Sequence, residues 1–237
     1  MKRIKYLSFF CIAAFASTVL FAQKPVKEIR ADALSEAEVE VLQKEFGKNK
    51  IIPVQYKKQI ITALTFFPEL KDVAIEFKVK QTCKAPLTTT PTVTSILKPQ
   101  NKRKFVITIR NLQSKNFQPI LFENLPYNTQ VGVIGHELSH VIDFSRKNSF
   151  GLIANGIQQV SYRYVDRFEY QTDSICVAHG LGYQLLDWSI YVRRSLHRNN
   201  WIGTGNADEQ TTTRERYMNP STIERKILTE AIYMNKP

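Results

Sequence analysis

The amino-acid sequence predicts a single domain of the α+β class with short appendages. The chain has 237 residues, of which 43% are hydrophobic, so it is too apolar to be disordered and long enough for one good domain. Helical spacing of apolar residues comes first, an alternating segment over 73–80 and a second strand over 105–109 follow, and the chain then returns to helical patterns. Strands and helices do not alternate regularly and no internal repeat is present, which is typical of an α+β fold.

The first 22 residues have the pattern of a secretory signal peptide. Three basic residues within positions 1–5 precede an apolar run over 6–22. Cleavage fits after Ala16 or Ala22, and we favour Ala22 because the earlier point leaves an exposed apolar remnant. Removal takes 22 residues and three positive charges from a chain of 237 residues and net charge +12, leaving 215 residues and +9. The sequence therefore predicts an exported (periplasmic or secreted) protein with no membrane span after signal removal, and an uncleaved N-terminal anchor is the alternative.

The segments that follow are identified by caps and by hydrophobic periodicity. Ser35 and Glu38 form a capping box at the start of a short helix, and Pro68 ends a second helix. Residues 81–103 contain a threonine-rich stretch, prolines and a basic group, so we expect an irregular excursion there. The predicted elements are helices over 36–46 and 56–67, strands over 73–80 and 105–109, a loop over 111–127, a helix over 128–144 and a terminal helix starting at 219–221.

The most informative motif lies in the helix predicted over 128–144. His136 and His140 are four residues apart, which on a helix separates them by about 40° in azimuth and 6 Å in height, so both rings can approach one ion. Glu137 is adjacent and can reach a water on that ion without being a ligand. This is the His-Glu-x-x-His arrangement of zinc hydrolases, with Glu as general base.

A catalytic zinc site needs a third protein ligand. The metzincin extension is excluded, because the chain has Asp143 and Arg146 where that pattern requires glycine and a ligand. A downstream stretch with helical character offers Glu169 as third ligand. Asp173 is one turn further on and can accept the free ring N–H of a ligand histidine, which orients the ring.

These residues together resemble the gluzincin clan of zinc metalloproteases. The Glu169-x-x-x-Asp173 stretch is similar to the CAAX-prenyl-protease and heat-shock-protein-X families, which show Glu-x-x-Ala-Asp, with Thr172 replacing the alanine and without their transmembrane segments. The resemblance implies a zincin-like fold in which a small mixed sheet packs on the active-site helix and an edge strand binds extended substrate. It also implies Zn²⁺ as cofactor, a peptide or protein as substrate, and an inserted loop around 148–159.

By position, the resemblance assigns His136, His140 and Glu169 as metal ligands, Glu137 as catalytic base and Asp173 as the orienting carboxylate. The catalytic domain then spans 52–198, between an N-terminal helical segment over 23–51 and a loop and C-terminal helix over 199–237 packed on the same domain. The candidates for a donor to the transition state are His179, Tyr217 and Arg216. For Tyr217, packing or exposure is the alternative role, and for His179 it is a place at a helix C-terminus.

Several questions stay open at the level of sequence. A non-catalytic, zinc-containing binding or inhibitory module of the cell envelope is the main alternative to a peptidase. The excess of Lys and Arg over Asp and Glu allows contact with an anionic envelope surface. Export and the lack of an aromatic-basic motif argue against nucleic acid as a partner. A disulfide between Cys83 and Cys176, and a role of residues 23–50 as a pro-segment over the cleft, are further hypotheses.

Overall fold

A computed structural model describes residues 23–81, 85–112, 115–203 and 215–234 of the chain. The predicted signal peptide or anchor over residues 1–22 lies outside the described residues, and so does Cys83 with its hypothetical disulfide. Within the described ranges, no helix combines the length and the apolar character needed to cross a membrane.

The protein has a mixed α/β fold built on a small four-stranded sheet. The strands are β1 (Lys50–Ile51), β2 (Ala74–Lys80), β3 (Leu87–Pro91) and β4 (Lys104–Arg110), in the spatial order β1-β2-β4-β3. The pairs β1–β2 and β2–β4 are parallel, whereas β3 runs antiparallel to β4 along one edge of the sheet. The strands predicted over 73–80 and 105–109 are confirmed as β2 and β4.

Strand β3 corrects the expectation of an irregular excursion over 81–103. Its sequence is Leu-Thr-Thr-Thr-Pro, in which Leu87 and Thr89 are buried while Thr90 is exposed. The inward-facing position 89 carries a hydroxyl rather than an apolar side chain, so the alternation of hydrophobicity is hidden. The β-branched threonines nevertheless favour extended backbone.

The helices surround one face of this sheet and the core beneath it. They are α1 (Glu36–Phe46), α2 (Lys57–Leu64), α3 (Tyr127–Arg146), α4 (Ser149–Gln158), α5 (Tyr162–Cys176), α6 (Gly182–Ser195), α7 (Pro220–Thr229) and the short α8 (Ala231–Met234). Helix α1 has the predicted capping box, and α7 begins at Pro220 as expected. Helix α2 is shorter than predicted, because a 3₁₀ turn over Val54–Tyr56 replaces its first residues and the helix ends at Leu64.

Helix α4 contradicts the inserted loop expected around 148–159. The Asn148 side chain accepts a hydrogen bond from the backbone N–H of Gly151, which caps the helix. Phe150, Ile153 and Ile157 do lie at helical spacing, but all three are exposed, so this periodicity faces solvent rather than the core.

Helix α3 is the central element of the fold and is buried over most of its length. It packs against β3, α2, α5 and α6. A Cβ at Gly132 would lie 2.3 Å from the backbone oxygen of Gln184 on α6, so glycine is needed for this close approach. The chain also kinks between α5 and α6 at Gly180, whose φ is +94°. Both features set the position of α5 and α6 relative to the two histidines on α3.

Candidate metal centre

The fold brings together the three residues that the sequence predicts as metal ligands. His136 Nε2 lies 3.2 Å from Glu169 Oε2, and His140 Nε2 lies 3.3 Å from the same oxygen. All three ligand atoms lie within 4.8 Å of one another. The histidines come from α3 and the glutamate from α5, so packing between these helices forms the group, which could hold a metal ion.

Two of the three separations between the ligand atoms match those around a tetrahedral ion. An ion with ligand distances of about 2.0–2.1 Å requires separations of about 3.3–3.4 Å between its ligand atoms. The two measured separations of 3.2 and 3.3 Å agree with that value. In addition, Glu169 Oε2 is buried and accepts no hydrogen bond of good geometry despite the two nearby rings. A buried carboxylate oxygen without a donor is costly, and coordination would remove that cost.

Both histidine rings are held by their other nitrogen. His136 Nδ1 lies 2.8 Å from Asp173 Oδ1, and Asp173 Oδ2 accepts a hydrogen bond from the backbone N–H of Met218 at 2.7 Å. A carboxylate can only accept here, so Nδ1 of His136 carries the proton and Nε2 is the atom that could bind an ion. The Asp173 placement agrees with the orienting role predicted from the sequence.

Thr172 is a partner of His140 that sequence reasoning missed. Its Oγ1 donates to the backbone oxygen of Phe168 at 2.9 Å and lies 3.2 Å from His140 Nδ1. Because the hydroxyl proton is directed to Phe168, the hydroxyl oxygen accepts from Nδ1 of His140, and Nε2 again faces the ligand group. Positions 169, 172 and 173 share one face of α5. That spacing was visible in the sequence, where Thr172 was noted only as a replacement of alanine.

Electrostatics among these side chains favour a charged histidine next to a charged glutamate. Burial acts to lower the pKa of His136, but the hydrogen bond to Asp173 and the negative charge of Glu169 outweigh it and raise that pKa well above its usual value. Burial likewise acts to raise the pKa of Glu169, but the positive charges of His140 and His136 lower it. A metal ion would replace the proton on Nε2 of His136.

Glu137 faces the cavity and is fixed from the edge strand. Its Oε2 accepts a hydrogen bond of 2.6 Å from the Thr89 hydroxyl, which also lies 3.1 Å from the backbone oxygen of Glu137. Thr89 was not identified from the sequence, because the segment containing it was expected to be irregular. The contact ties β3 directly to the helix that carries the histidines.

A cavity of about 410 Å³ opens beside these residues. His136, Glu137, His140 and Glu169 line one side of it, and much of the remaining wall is apolar. The apolar wall includes Leu87, Ile96, Phe144, Leu152 and Phe168. None of residues 23–51 lines it, so the described part of the proposed pro-segment does not cover the cavity.

Strand β3 forms a free edge along the cavity. Pro86 O accepts a hydrogen bond from the backbone N–H of Arg110, and the Thr92 N–H donates to Lys104 O. Even-numbered positions of β3 therefore pair with β4. The backbone groups of Leu87 and Thr89 therefore point to the free edge, where no strand pairs in the described part of the chain. Pro91 has no N–H, so the donors on this edge end at Thr89.

Of the three candidate donors, only Tyr217 reaches the site. Its ring centroid lies 5.7 Å from that of His136, and the residue lines the cavity. Burial and the negative charges of Glu169 and Glu137 raise the pKa of Tyr217 well above its usual value, so the phenol keeps its proton.

The other two candidates are engaged elsewhere. His179 Nε2 lies 2.7 Å from Glu69 Oε1, and its ring stacks on Phe67 at 4.5 Å. His179 therefore lies just after the C-terminus of α5, as its alternative role expected, and away from the ligand group. Arg216 Nε donates to Asp166 Oδ1 at 2.8 Å, which makes it an ion-pair partner beneath the site. Neither residue lines the cavity.

Comparison with protein-family models, with curated proteins and with solved structures gives no match for this chain. The gluzincin resemblance therefore stays a prediction from motifs. Function is inferred below from the chemistry of the site itself.

Proposed function

We propose that this protein is an exported zinc metallopeptidase with a zincin-like arrangement of sheet and helices. The observation that carries the proposal is the triangle of His136 Nε2, His140 Nε2 and Glu169 Oε2, with Glu137 on the same helix and an open cavity beside it. Two imidazoles and one carboxylate suit Zn²⁺ and leave a fourth position open for water or substrate. The basic and apolar N-terminal pattern supports export.

When bound, the ion would supply Lewis acidity, which makes a water more acidic and polarises a peptide carbonyl. Glu137 then acts as general base: it takes the proton from the attacking water and passes it to the leaving amine. The Thr89 hydroxyl binds Oε2 of Glu137 and so orients the carboxylate, and Oε1 is the atom that takes the proton. General bases of this kind contribute about 10²–10⁴ in rate.

Two further groups complete the proposed reaction. The neutral Tyr217 phenol donates a hydrogen bond to the oxyanion that develops on the substrate carbonyl. The backbone groups of Leu87 and Thr89 on the free edge of β3 pair with an extended peptide, which positions its scissile bond over Glu137. The apolar wall then receives one substrate side chain.

Metal analysis and a catalytic variant test the proposal together. We expect about one zinc per chain, lost in His136→Ala and retained in Glu137→Gln. Hydrolysis of a diverse peptide library should fall by about 10²-fold or more in Glu137→Gln, because the proton acceptor is removed without loss of a ligand. Glu45→Gln, on the outer surface of α1, is the control and should keep both zinc and activity.

Unchanged metal content in His136→Ala would refute the ligand assignment. Zinc retained by the wild-type protein without hydrolysis of any library peptide would instead favour the non-catalytic binding or inhibitory module.

A further inference from the structure

Helix α4 and the turn after it expose an apolar face that no described residue covers. The face consists of Phe150, Ile153, Ile157, Val160 and Tyr162, whose side chains are between 46% and 86% exposed. The first three follow the i, i+3, i+7 spacing of one helix stripe. The surfaces of soluble proteins seldom carry several large apolar side chains at such a spacing, so this face is a candidate site for contact with a membrane or another protein.

The neighbouring segment extends the apolar surface. Ser149 Oγ at the start of α4 donates to the backbone oxygen of Ile96 at 2.8 Å, which joins α4 to the segment over 92–98. Within that segment Val93 and Leu97 are also exposed. The hydrogen bond between Ser149 and Ile96 therefore joins two segments that are distant in sequence and that both expose apolar side chains.

The exposed charged side chains of the two segments that form this surface are all basic. The segments over 92–104 and 144–165 contain no Asp or Glu. Their exposed charged residues are Lys98, Lys102, Lys104, Arg146 and Arg163. An anionic partner would complement these charges, whereas a second copy of the chain would bring five like charges against them.

The opposite side of α4 belongs to the proposed site. Leu152, Asn155 and Gly156 line the cavity that contains the ligand group. Helix α4 therefore separates this cavity from the apolar face, and it lies in the chain between the helices that carry His140 and Glu169.

We infer that α4 docks on an anionic lipid bilayer. The apolar face of α4 enters the interface between headgroups and acyl chains, and the surrounding lysines and arginines contact headgroup phosphates. Helix α4 itself carries no basic residue, and the basic side chains come from the segments that flank it. An apolar helix face bordered by basic side chains suits the membrane interface, and anionic lipids strengthen such binding. This contact is peripheral and independent of the predicted N-terminal signal or anchor.

Local fluorescence separates this contact from any binding through residues 1–22. In Ile157→Trp, we expect the tryptophan emission to shift to shorter wavelength with vesicles containing phosphatidylglycerol, and to be quenched by brominated acyl chains. Ile51→Trp on β1 is the matched control, since Ile51 is 64% exposed and Ile157 is 70% exposed. The control should show neither change. An Ile157→Trp spectrum that does not respond to these vesicles overturns the proposal.

Vesicle sedimentation tests the two components of the contact. Phe150→Ser combined with Val160→Ser should weaken binding to phosphatidylglycerol vesicles about tenfold or more, because two large side chains no longer enter the interface. Val54→Ser is the control, with Val54 at 84% exposure against 86% for Val160. Lys98→Gln with Arg146→Gln should reduce the preference for phosphatidylglycerol over phosphatidylcholine. Equal binding to both lipids by the wild-type protein overturns the anionic part of the inference.

Two other occupants of the face give different results. If the face joins two copies, Phe150→Ser converts a dimer to a monomer in analytical ultracentrifugation, which overturns lipid docking. If the face binds substrate, Phe150→Ser lowers hydrolysis of short soluble peptides, and lipid docking is again overturned. Lipid docking predicts neither effect for Phe150→Ser. Unchanged zinc content in this variant shows that it is folded.

Discussion

Replacing Thr172 by valine isolates the contribution of one hydroxyl to metal binding. Thr172 is 1% exposed, so valine fits the same space while the partner of His140 Nδ1 disappears. A buried donor left without an acceptor costs about 1–3 kcal/mol. Loss of such an orienting contact typically reduces metal affinity about 10–100-fold, or about 1.4–2.8 kcal/mol. The contact is long at 3.2 Å and involves a neutral hydroxyl, so we expect the lower end, about tenfold.

Competition with a chelator of known affinity measures this change directly. Thr172→Ser keeps the hydroxyl and should bind zinc nearly as tightly as the wild-type protein. Ser174→Ala is the matched control on the same helix, because its hydroxyl donates to Tyr170 O at 3.2 Å and contacts neither histidine. Wild-type zinc affinity in Thr172→Val, or equal weakening in Ser174→Ala, would refute the reasoning.

Three further predictions follow from the site and its supporting helix. Tyr217→Phe should lower kcat about 10²-fold with zinc content unchanged, because an oxyanion donor is lost, and an unchanged kcat removes Tyr217 from the chemistry. Zinc affinity should fall as pH decreases through the raised pKa of His136, because a proton on Nε2 competes with the ion. Above that pKa the affinity should no longer change with pH. Chelator competition at several pH values measures this dependence, and an affinity that does not change with pH would contradict the prediction. Gly132→Ala should lower the free energy of unfolding by about 1–3 kcal/mol, because its Cβ would lie 2.3 Å from Gln184 O. Thermal denaturation measures this change. Gly156→Ala is the control and should not destabilise the protein, because a Cβ at that position has no atom within 4 Å.

The candidate ligands were predictable because helix geometry fixes local spacing. His136 and His140 share a face of α3 whatever the tertiary fold, and Glu169 and Asp173 share a face of α5 for the same reason. Thr89 could not be found in this way. Its contact with Glu137 joins residues 48 positions apart, and it depends on a strand whose inward face is polar.

Topology and exposure account for the parts of the fold that the sequence did not predict. Periodicity identifies β2 and β4 but carries no information about their parallel pairing, which depends on packing of the intervening chain. In α4 the apolar stripe is present in the sequence, yet it faces solvent, so the usual assumption that periodicity marks the core does not hold. The loop expected over 148–159 came from the family resemblance, whereas the helical spacing of Phe150, Ile153 and Ile157 was the signal that could have predicted α4.

The position of α4 links the proposed docking surface to the proposed chemistry. Arg103, beside β4, donates to the backbone oxygen of Lys147 just before α4, and Tyr164 on α5 donates to Asn155 within it. Helix α4 is thus held near both ends, and one of these contacts comes from α5, which carries Glu169. A bilayer contacting its outer face would therefore hold the cavity close to the membrane surface. A peptide tethered to lipid would then be cleaved faster than the same peptide in solution, and Phe150→Ser would remove that difference while leaving soluble hydrolysis unchanged. Loss of both rates together would instead place Phe150 within the substrate site.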